Sequence, residues 1–253
     1  MSVVVAYKYT SNPQDASVNS DGTLDWSRAK ASVSEYDTVA MQLGHNLAQA
    51  LSTEVVGVSV GDAALSSSLA KKAAMSRGLA RGLVVADDET SEWSMTKIAS
   101  AIAGLVKRVE DAQIVVAGDS SVDEGAKLTS ALIGGFLGWP TFQNVVAVEQ
   151  DGDDWKVTQI AGSGRRTVRI AGPIVVAATS DAVDPLVPAM KDILMAGRKP
   201  VEVVAASDLE LSGAAASVSE TSRPEKRVRK HELFKGDDAA EQLAAALKSN
   251  GVL

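Results

Sequence analysis

The sequence predicts a doubly wound α/β fold around a mostly parallel sheet, and three observations carry that expectation. Short runs rich in β-branched residues are apolar throughout rather than alternating, as strands are when helices cover both faces of a sheet. The segments between them place apolar residues three and four apart, the mark of a helix with one buried face. Strand and helix alternate over the first half of the chain, the order that builds right-handed crossovers.

In order, the strand-like runs are Val3 to Tyr7, Glu54 to Val60, Gly82 to Ala86 and Gln113 to Ala117. Between them, Val39, Leu43, Leu47 and Leu51 define one helix face, and Ile98, Ile102, Leu105 and Val109 another. Ser34 followed by Asp37 reads as an N-cap with a carboxylate in the first turn, so the first helix is expected to begin just after Ser34. Beyond Trp139-Pro140 the pattern changes. Thr141 to Val148, Trp155 to Ala161, Arg166 to Ile170 and Ile174 to Ala178 read as strands, with turns at Asp151-Gly152 and Ser163-Gly164. An Asp-Gly turn between alternating runs signals a hairpin, so this is an antiparallel extension whose last strand rejoins the sheet.

The segment Ser180 to Leu209 follows, proline-studded and apolar, then basic. Pro185 and Pro188 keep the backbone out of helix until Ala189. Met190, Ile193 and Leu194 then fall on a short helical turn beside Lys191, Arg198 and Lys199. Apolar side chains ringed by charge fit a partner-docking arm; the alternative is that they pack onto the parent domain. Past Asp208 the chain is rich in Ala, Ser and Glu up to Ser222, then basic at Arg223, Lys226, Arg227, Arg229 and Lys230. This reads as a C-terminal arm, extended and packed on a neighbour or mobile. A helix from Asp237 to Ser249 closes it, capped at Asp237 and stopped by Asn250-Gly251. The expected organisation is an α/β domain over 1–209 with the docking loop at 184–199, then the arm and helix at 210–253.

At 253 residues the chain can bury an ample core. It has no cysteine, which excludes disulfides, thiolate zinc sites, iron–sulfur clusters and thiol nucleophiles and points to a reduced, cytoplasmic compartment. Met1 leads straight into SVVVAY with no basic leader, and no run of roughly eighteen apolar residues occurs, so no membrane insertion is expected. A net charge of −7 argues against a general affinity for nucleic acid.

Ligands in open parallel sheets collect at the carboxyl ends of the strands, where loops lead into helix N-termini. Three such loops stand out: Ala6 to Lys8, Val60 to Asp62, and Ala117 to Asp123. Their glycines admit close backbone approach, and Ser120, Ser121 and Thr129 supply hydroxyls, a combination that suits an adenine nucleotide. Small residues at strand ends also serve simply as tight turns, and neither a Walker loop nor a complete dinucleotide fingerprint is present. Catalytic groups are sparse. His45 and His231 have no evident partners, Asp87-Asp88 and Asp153-Asp154 sit in turns, and neither a nucleophile elbow nor a zinc-binding helix occurs. No catalytic residue and no metal site is expected, which favours a carrier or binding module over an enzyme.

These residues resemble the β subunit of electron transfer flavoproteins, particularly the FixA-type branch associated with acyl-CoA and carnitine metabolism. The resemblance rests on SDGTLDWSRAKASVSEYD at Ser20 to Asp37, KKAAMSRG at Lys71 to Gly78, AGDSSVDEGAKLTSALIGGFLGWP at Ala117 to Pro140, and SDxxxPxxPxMKxILxAGRKPV from Ser180, with SDL at Ser207 to Leu209. It implies a Rossmann-like, adenine-nucleotide-binding fold and a heterodimer with an α subunit (FixB-like) that carries a redox FAD. The β subunit would wall that FAD and hold a second nucleotide, AMP in most members and a second FAD in electron-bifurcating ones.

Carried over, the second-nucleotide site falls on Ala6, on Ser34, Glu35, Tyr36 and Asp37, on Val60, and on Gly118, Asp119, Ser120, Ser121, Val122, Asp123, Glu124, Gly125, Ala126, Lys127, Leu128 and Thr129. Tyr36 is the aromatic expected beside the shared flavin. The docking loop for acyl-CoA dehydrogenase-type flavoproteins falls on Asp184 to Lys199, with Pro188, Met190, Lys191, Ile193, Leu194, Arg198 and Lys199 as its contacts and Met190 where the family has an anchoring leucine. The family usually has Asn-Pro at Ser34-Glu35, Lys-Gln or Arg-Gln at Asp119-Ser120, and Gln at Leu128. A carboxylate at Asp119 disfavours close phosphate contact unless backbone amides and Lys127 compensate. Thr129 matches the AMP pattern, so AMP is expected, with FAD as the alternative. A stand-alone adenine-nucleotide-binding module is the second functional class, though it leaves the arm and the basic tail without a role.

Overall fold

The computed structural model describes residues 1–213, 225, 227–229 and 231–253. Its first strand, β1 (Ser2–Ala6), is wholly buried, and an irregular excursion follows it: β2 (Tyr9–Ser11), β3 (Ser17–Val18), β4 (Leu24–Asp25) and β5 (Ala31–Val33). These pair among themselves, β2 with β5 and β3 with β4, outside the main sheet. The crossover elements come next: α1 (Glu35–Ala50), β6 (Val55–Gly61), α2 (Ser68–Met75), β7 (Arg81–Ala86), α3 (Met95–Lys107), β8 (Ala112–Gly118) and α4 (Thr129–Leu137). Then come β9 (Thr141–Asp151), β10 (Asp154–Ala161), β11 (Gly164–Ala171), β12 (Ile174–Ala178), α5 (Met190–Ala196), β13 (Val201–Val203) and α6 (Ala239–Ser249).

Nine strands form one sheet in the order β11-β10-β9-β12-β8-β1-β6-β7-β13. Neighbours from β9 through β12 to β13 are parallel; β9, β10 and β11 pair antiparallel. The expected doubly wound sheet with an antiparallel extension is therefore present. Alternate residues of β1 explain its unbroken valines: Val3 and Val5 pack into a core under α1, α2 and α5, while Val4 and Ala6 pack into another under α3 and α4. Each side chain thus leaves water whichever way it points.

Local expectations fare unequally. The helix at residue 35 starts where expected, yet the Ser34 side chain makes no capping bond and its Oγ is buried without a partner; the Ser34 backbone carbonyl alone closes the first turn, accepting from the Asp37 and Thr38 amides. The second hairpin loop is Gly162-Ser163 rather than Ser163-Gly164, because Ala161 pairs with Gly164 and the positive φ falls on Gly162. A glycine with positive φ at the first loop position is the requirement of a type II′ turn. In the preceding hairpin Asp151 pairs with Asp154, so the loop is Gly152-Asp153 rather than Asp151-Gly152, and Gly152 meets the same requirement.

The chain divides into units Met1–Val218 and Ser219–Leu253. In the second, α6 begins at Ala239 with Asp238 rather than Asp237 preceding it, and Asp238 accepts a hydrogen bond from Gln242 Nε2 at 2.7 Å rather than capping the helix with its side chain. Arg223, Lys226 and Lys230 of the basic stretch, and Ser222 before it, lie outside the described residues. No helix among the described residues is long and apolar enough to cross a membrane.

Candidate functional site

The strand order puts the change of winding direction between β1 and β8. From β1 the chain winds through β6 to β7 on one side, then crosses to β8 on the other. Strand-end loops diverge at such a point and leave a crevice beyond the carboxyl ends. A cavity of about 550 Å3 lies there, bordered by Ala6, Val60-Gly61 and Ala117-Gly118 at the ends of β1, β6 and β8, within the usual range of about 300–1,000 Å3 for small-molecule sites.

Trp93, Met95, Ile98, Ile102 and Ile133 give the cavity apolar lining. Trp93 is steadied by Lys97, whose Nζ lies 4.0 Å from the ring centroid. The cavity's polar lining carries five carboxyl groups, of Asp37, Asp62, Asp119, Asp123 and Glu124, and the ammonium groups of Lys8 and Lys127. Lys8 Nζ lies 2.6 Å from Asp123 Oδ2 and 3.8 Å from Glu124 Oε1, and Thr10 Oγ1 donates to Asp123 at 3.3 Å. Burial alone would raise the Asp123 carboxyl; the Lys8 hydrogen bond and charge outweigh it and hold the group below its ordinary value. Lys127 Nζ donates to Asp119 Oδ2 at 3.3 Å, while Asp119 Oδ1 is buried without a partner.

The loop after β8 is held by its own side chains. Ser121 Oγ accepts from the amides of Glu124 and Gly125 at 3.4 and 3.3 Å, and Asp123 Oδ1 accepts from Glu124 N at 2.9 Å. Gly125 and Lys127 both have positive φ, a strained state for a lysine that its contact with Asp119 helps to fix.

Asp37, the most deeply held carboxyl of this lining, sits at the first turn of α1 and is 6% exposed. Its Oδ2 accepts from Lys8 N at 2.7 Å and its Oδ1 from Gly118 N at 3.3 Å. A Cβ on residue 118 would lie 2.7 Å from Asp37 Oδ1 and 2.9 Å from Tyr36 backbone, which is why glycine stands there. Burial raises the Asp37 carboxyl to about 7, opposed by the two amides and the Lys8 charge.

Of the residues expected from sequence, Ala6, Asp37, Val60, Gly118, Asp119, Ser120, Ser121, Asp123, Glu124, Ala126, Lys127 and Thr129 share the cavity wall. Ser34, Glu35, Tyr36, Val122, Gly125 and Leu128 do not. Glu35 is exposed and Tyr36 half-buried against Gly118. Sequence reasoning missed Trp93 and Trp26, which also border the cavity. The loop after β7 is a strand-end loop like the other three and carries an aromatic just ahead of a helix, a signal that was available for Trp93. Trp26 lies in the irregular excursion, where no periodicity marks it.

The arm is separate from this site. Leu186 is 72%, Val187 91%, Met190 71% and Leu194 65% exposed, with Lys191 and Arg198 exposed and Pro188 and Ile193 half-buried beside them. Lys199 differs from its basic neighbours. Its Nζ donates inward to Met75 O at 2.9 Å and Leu79 O at 2.6 Å, so it anchors the arm to the end of α2.

A similarity to known proteins runs through the loops after β6 and β8 and through the arm: residues 21–209 match the family model described as the electron transfer flavoprotein domain.

Proposed function

This chain belongs to the electron transfer flavoprotein family, and from that premise we propose that it is the β subunit of a heterodimeric electron carrier. In this reading it binds AMP in the cavity between β1 and β8, walls an FAD shared with an α subunit, and docks flavoprotein dehydrogenases or reductases, acyl-CoA dehydrogenase-type partners among them, through residues 184–199. The shared FAD, when bound, supplies the acceptance and release of electrons. The chain itself positions, and no residue is assigned a bond-making role.

The observation that carries the reading is a cavity at the switch point lined by both apolar and charged side chains, together with an exposed apolar arm. A purine fits the apolar surface of Trp93, Ile98 and Ile102, and ribose hydroxyls find acceptors among the carboxylates of the lining. Lys8 and Lys127 then face the phosphate. Two ammonium groups among five carboxyl groups suit a single phosphate better than a pyrophosphate, which supports AMP over a second FAD. Tyr36 stands outside the cavity wall and is left for the shared flavin. Met190 and Leu194, flexible apolar knobs with Lys191 and Arg198 at the rim, suit a transient interface.

The test is co-expression with the candidate α subunit, then gel filtration with flavin absorbance and nucleotide analysis of the same peak. A one-to-one complex holding one FAD and one AMP is expected. Two FAD and no AMP would make the chain a bifurcating FixA-type subunit, and a colourless chain that ignores the α subunit yet retains AMP would make it a stand-alone nucleotide-binding module.

A further inference from the structure

The ends of β1 and β8 diverge into the cavity, and one buried side chain reaches both. Asp37, 6% exposed, accepts from the amide of Lys8, two residues beyond β1, with one carboxylate oxygen and from the last amide of β8 with the other. Each end leads directly into charged wall. Lys8, whose amide is held, sends its ammonium to Asp123 and Glu124, and Gly118 is followed at once by Asp119. The fit allows no slack, since a single added carbon at Gly118 would meet Asp37 Oδ1 and Tyr36.

We propose that Asp37 is the positioning residue of this cavity: as a carboxylate it holds the β1 and β8 ends at one spacing, and on taking up a proton it releases one of them. A carboxylate is acceptor-only and serves both amides; the acid turns one oxygen into a donor that faces an N–H. The charged groups facing Asp37 are Lys8 from the β1 end, which favours the ionised form, and Asp123 from the loop after β8, which opposes it. With its carboxyl raised to about 7 by burial, the exchange falls at neutral pH. The wall therefore tightens as pH rises through that region. Asp37 acts through the two amides and needs no contact with the ligand.

The clamp itself is independent of what the cavity binds; its effect on affinity rests on the nucleotide reading. The test follows the Lys8 and Gly118 amide resonances and the Asp37 carboxyl carbon by NMR between pH 5.5 and 8.5, in the full chain and in Asp37→Asn. In the wild type all three are expected to titrate together near pH 7, and in the variant the two amides stay flat. Amides that do not move, or that move alike in both chains, overturn the proposal. AMP binding is then measured over the same range. The wild type should gain at least roughly threefold in affinity from pH 6 to 8 relative to Asp37→Asn, which shares the titration of AMP itself. Titrating amides with a pH dependence of AMP affinity identical in the two chains overturn the coupling. Titrating amides in a chain that binds no AMP at any pH support the clamp and remove the nucleotide reading instead. If Asp37→Asn does not fold, the wild-type titration of the two amides against the Asp37 carboxyl decides the clamp, and divergent midpoints sink it.

Discussion

Around the cavity, charge meets charge: Lys8 on Asp123, Lys127 on Asp119, Asp37 on two backbone amides. Along residues 184–199 Leu186, Val187, Met190, Leu194 and Met195 are exposed, and Lys199 reaches inward to two carbonyls. The polar groups of the cavity are arranged before any ligand arrives, so binding there need not order them again. The arm instead leaves apolar area exposed, which is released from water only when a partner covers it. The proposed retention of a nucleotide and transient docking of a partner call for these opposite constructions, and substitutions in one region should leave the other intact.

The largest expected effect lies in the cavity and depends on pH. A carboxyl raised from 3.8 to about 7 binds more protons folded than unfolded between those values. Its contribution to stability is therefore full in acid, is lost as pH rises through that window, and stays lost above about 7. A shift of that size corresponds to an upper limit of about 4 kcal/mol. Asp37→Asn abolishes the titration, so the stability of the variant relative to wild type should climb from pH 4 to 7 and then level off in urea unfolding curves. A difference that does not vary with pH would assign the window to other groups. If residues 184–199 dock a partner as proposed, that docking should be unaltered at any one pH.

Next in size is Gly118→Ala. The new carbon would sit 2.7 Å from Asp37 Oδ1 and 2.9 Å from Tyr36 C, and since one neighbour is backbone it cannot simply rotate away. A loss of about 1–3 kcal/mol is expected for such overpacking, read from the denaturation midpoint, together with loss of bound nucleotide. Unchanged nucleotide content would show that the β8 end need not keep its spacing.

How much of this was legible in the sequence follows from what each feature depends on. The valine runs of β1, β6, β8 and β12 could be read because burial on both faces writes itself into every position. The exposed arm could be read because Pro185 and Pro188 act on their own neighbours, and α5 starts at Met190 as they require. The Asp37 clamp could not. Its bond to Gly118 joins residues 81 apart, and an acid in a first helical turn looks the same whether it faces solvent or a buried amide. The Ser34 cap failed for a related reason, since a hydroxyl beside a helix start carries no record of the direction in which it points. The helix α4 is apolar nearly all round and so shows no face, and α2 spans only eight residues, too short for a repeat to establish itself.

For the arm, Met190→Glu places a charge at a 71% exposed apolar position. If Met190 is the anchor, transfer to the cognate dehydrogenase should weaken by about 2 kcal/mol, roughly thirtyfold, the lower bound of a central interface residue. Stability should stay within about 0.5 kcal/mol, as for other surface changes, and FAD and AMP content should not change. An unaltered transfer rate in steady-state assays with that dehydrogenase would take this surface out of the docking mechanism.

The smallest effect separates the knob from its rim. Lys191 and Arg198 are exposed, as Met190 is, whereas Lys199 is committed to Met75 O and Leu79 O. Rim charges act on encounter more than on the lifetime of a complex. Lys191→Ala with Arg198→Ala should therefore lower the association rate less than tenfold, flatten its dependence on salt, and leave dissociation almost unchanged. Lys199→Met should do the reverse: it frees two carbonyls and loosens the seat of the arm, so dissociation quickens while the salt dependence persists. Stopped-flow association at two ionic strengths distinguishes them. If all three basic residues behaved alike, the arm would be a general cationic patch, and its contrast with the cavity would be one of charge rather than of construction.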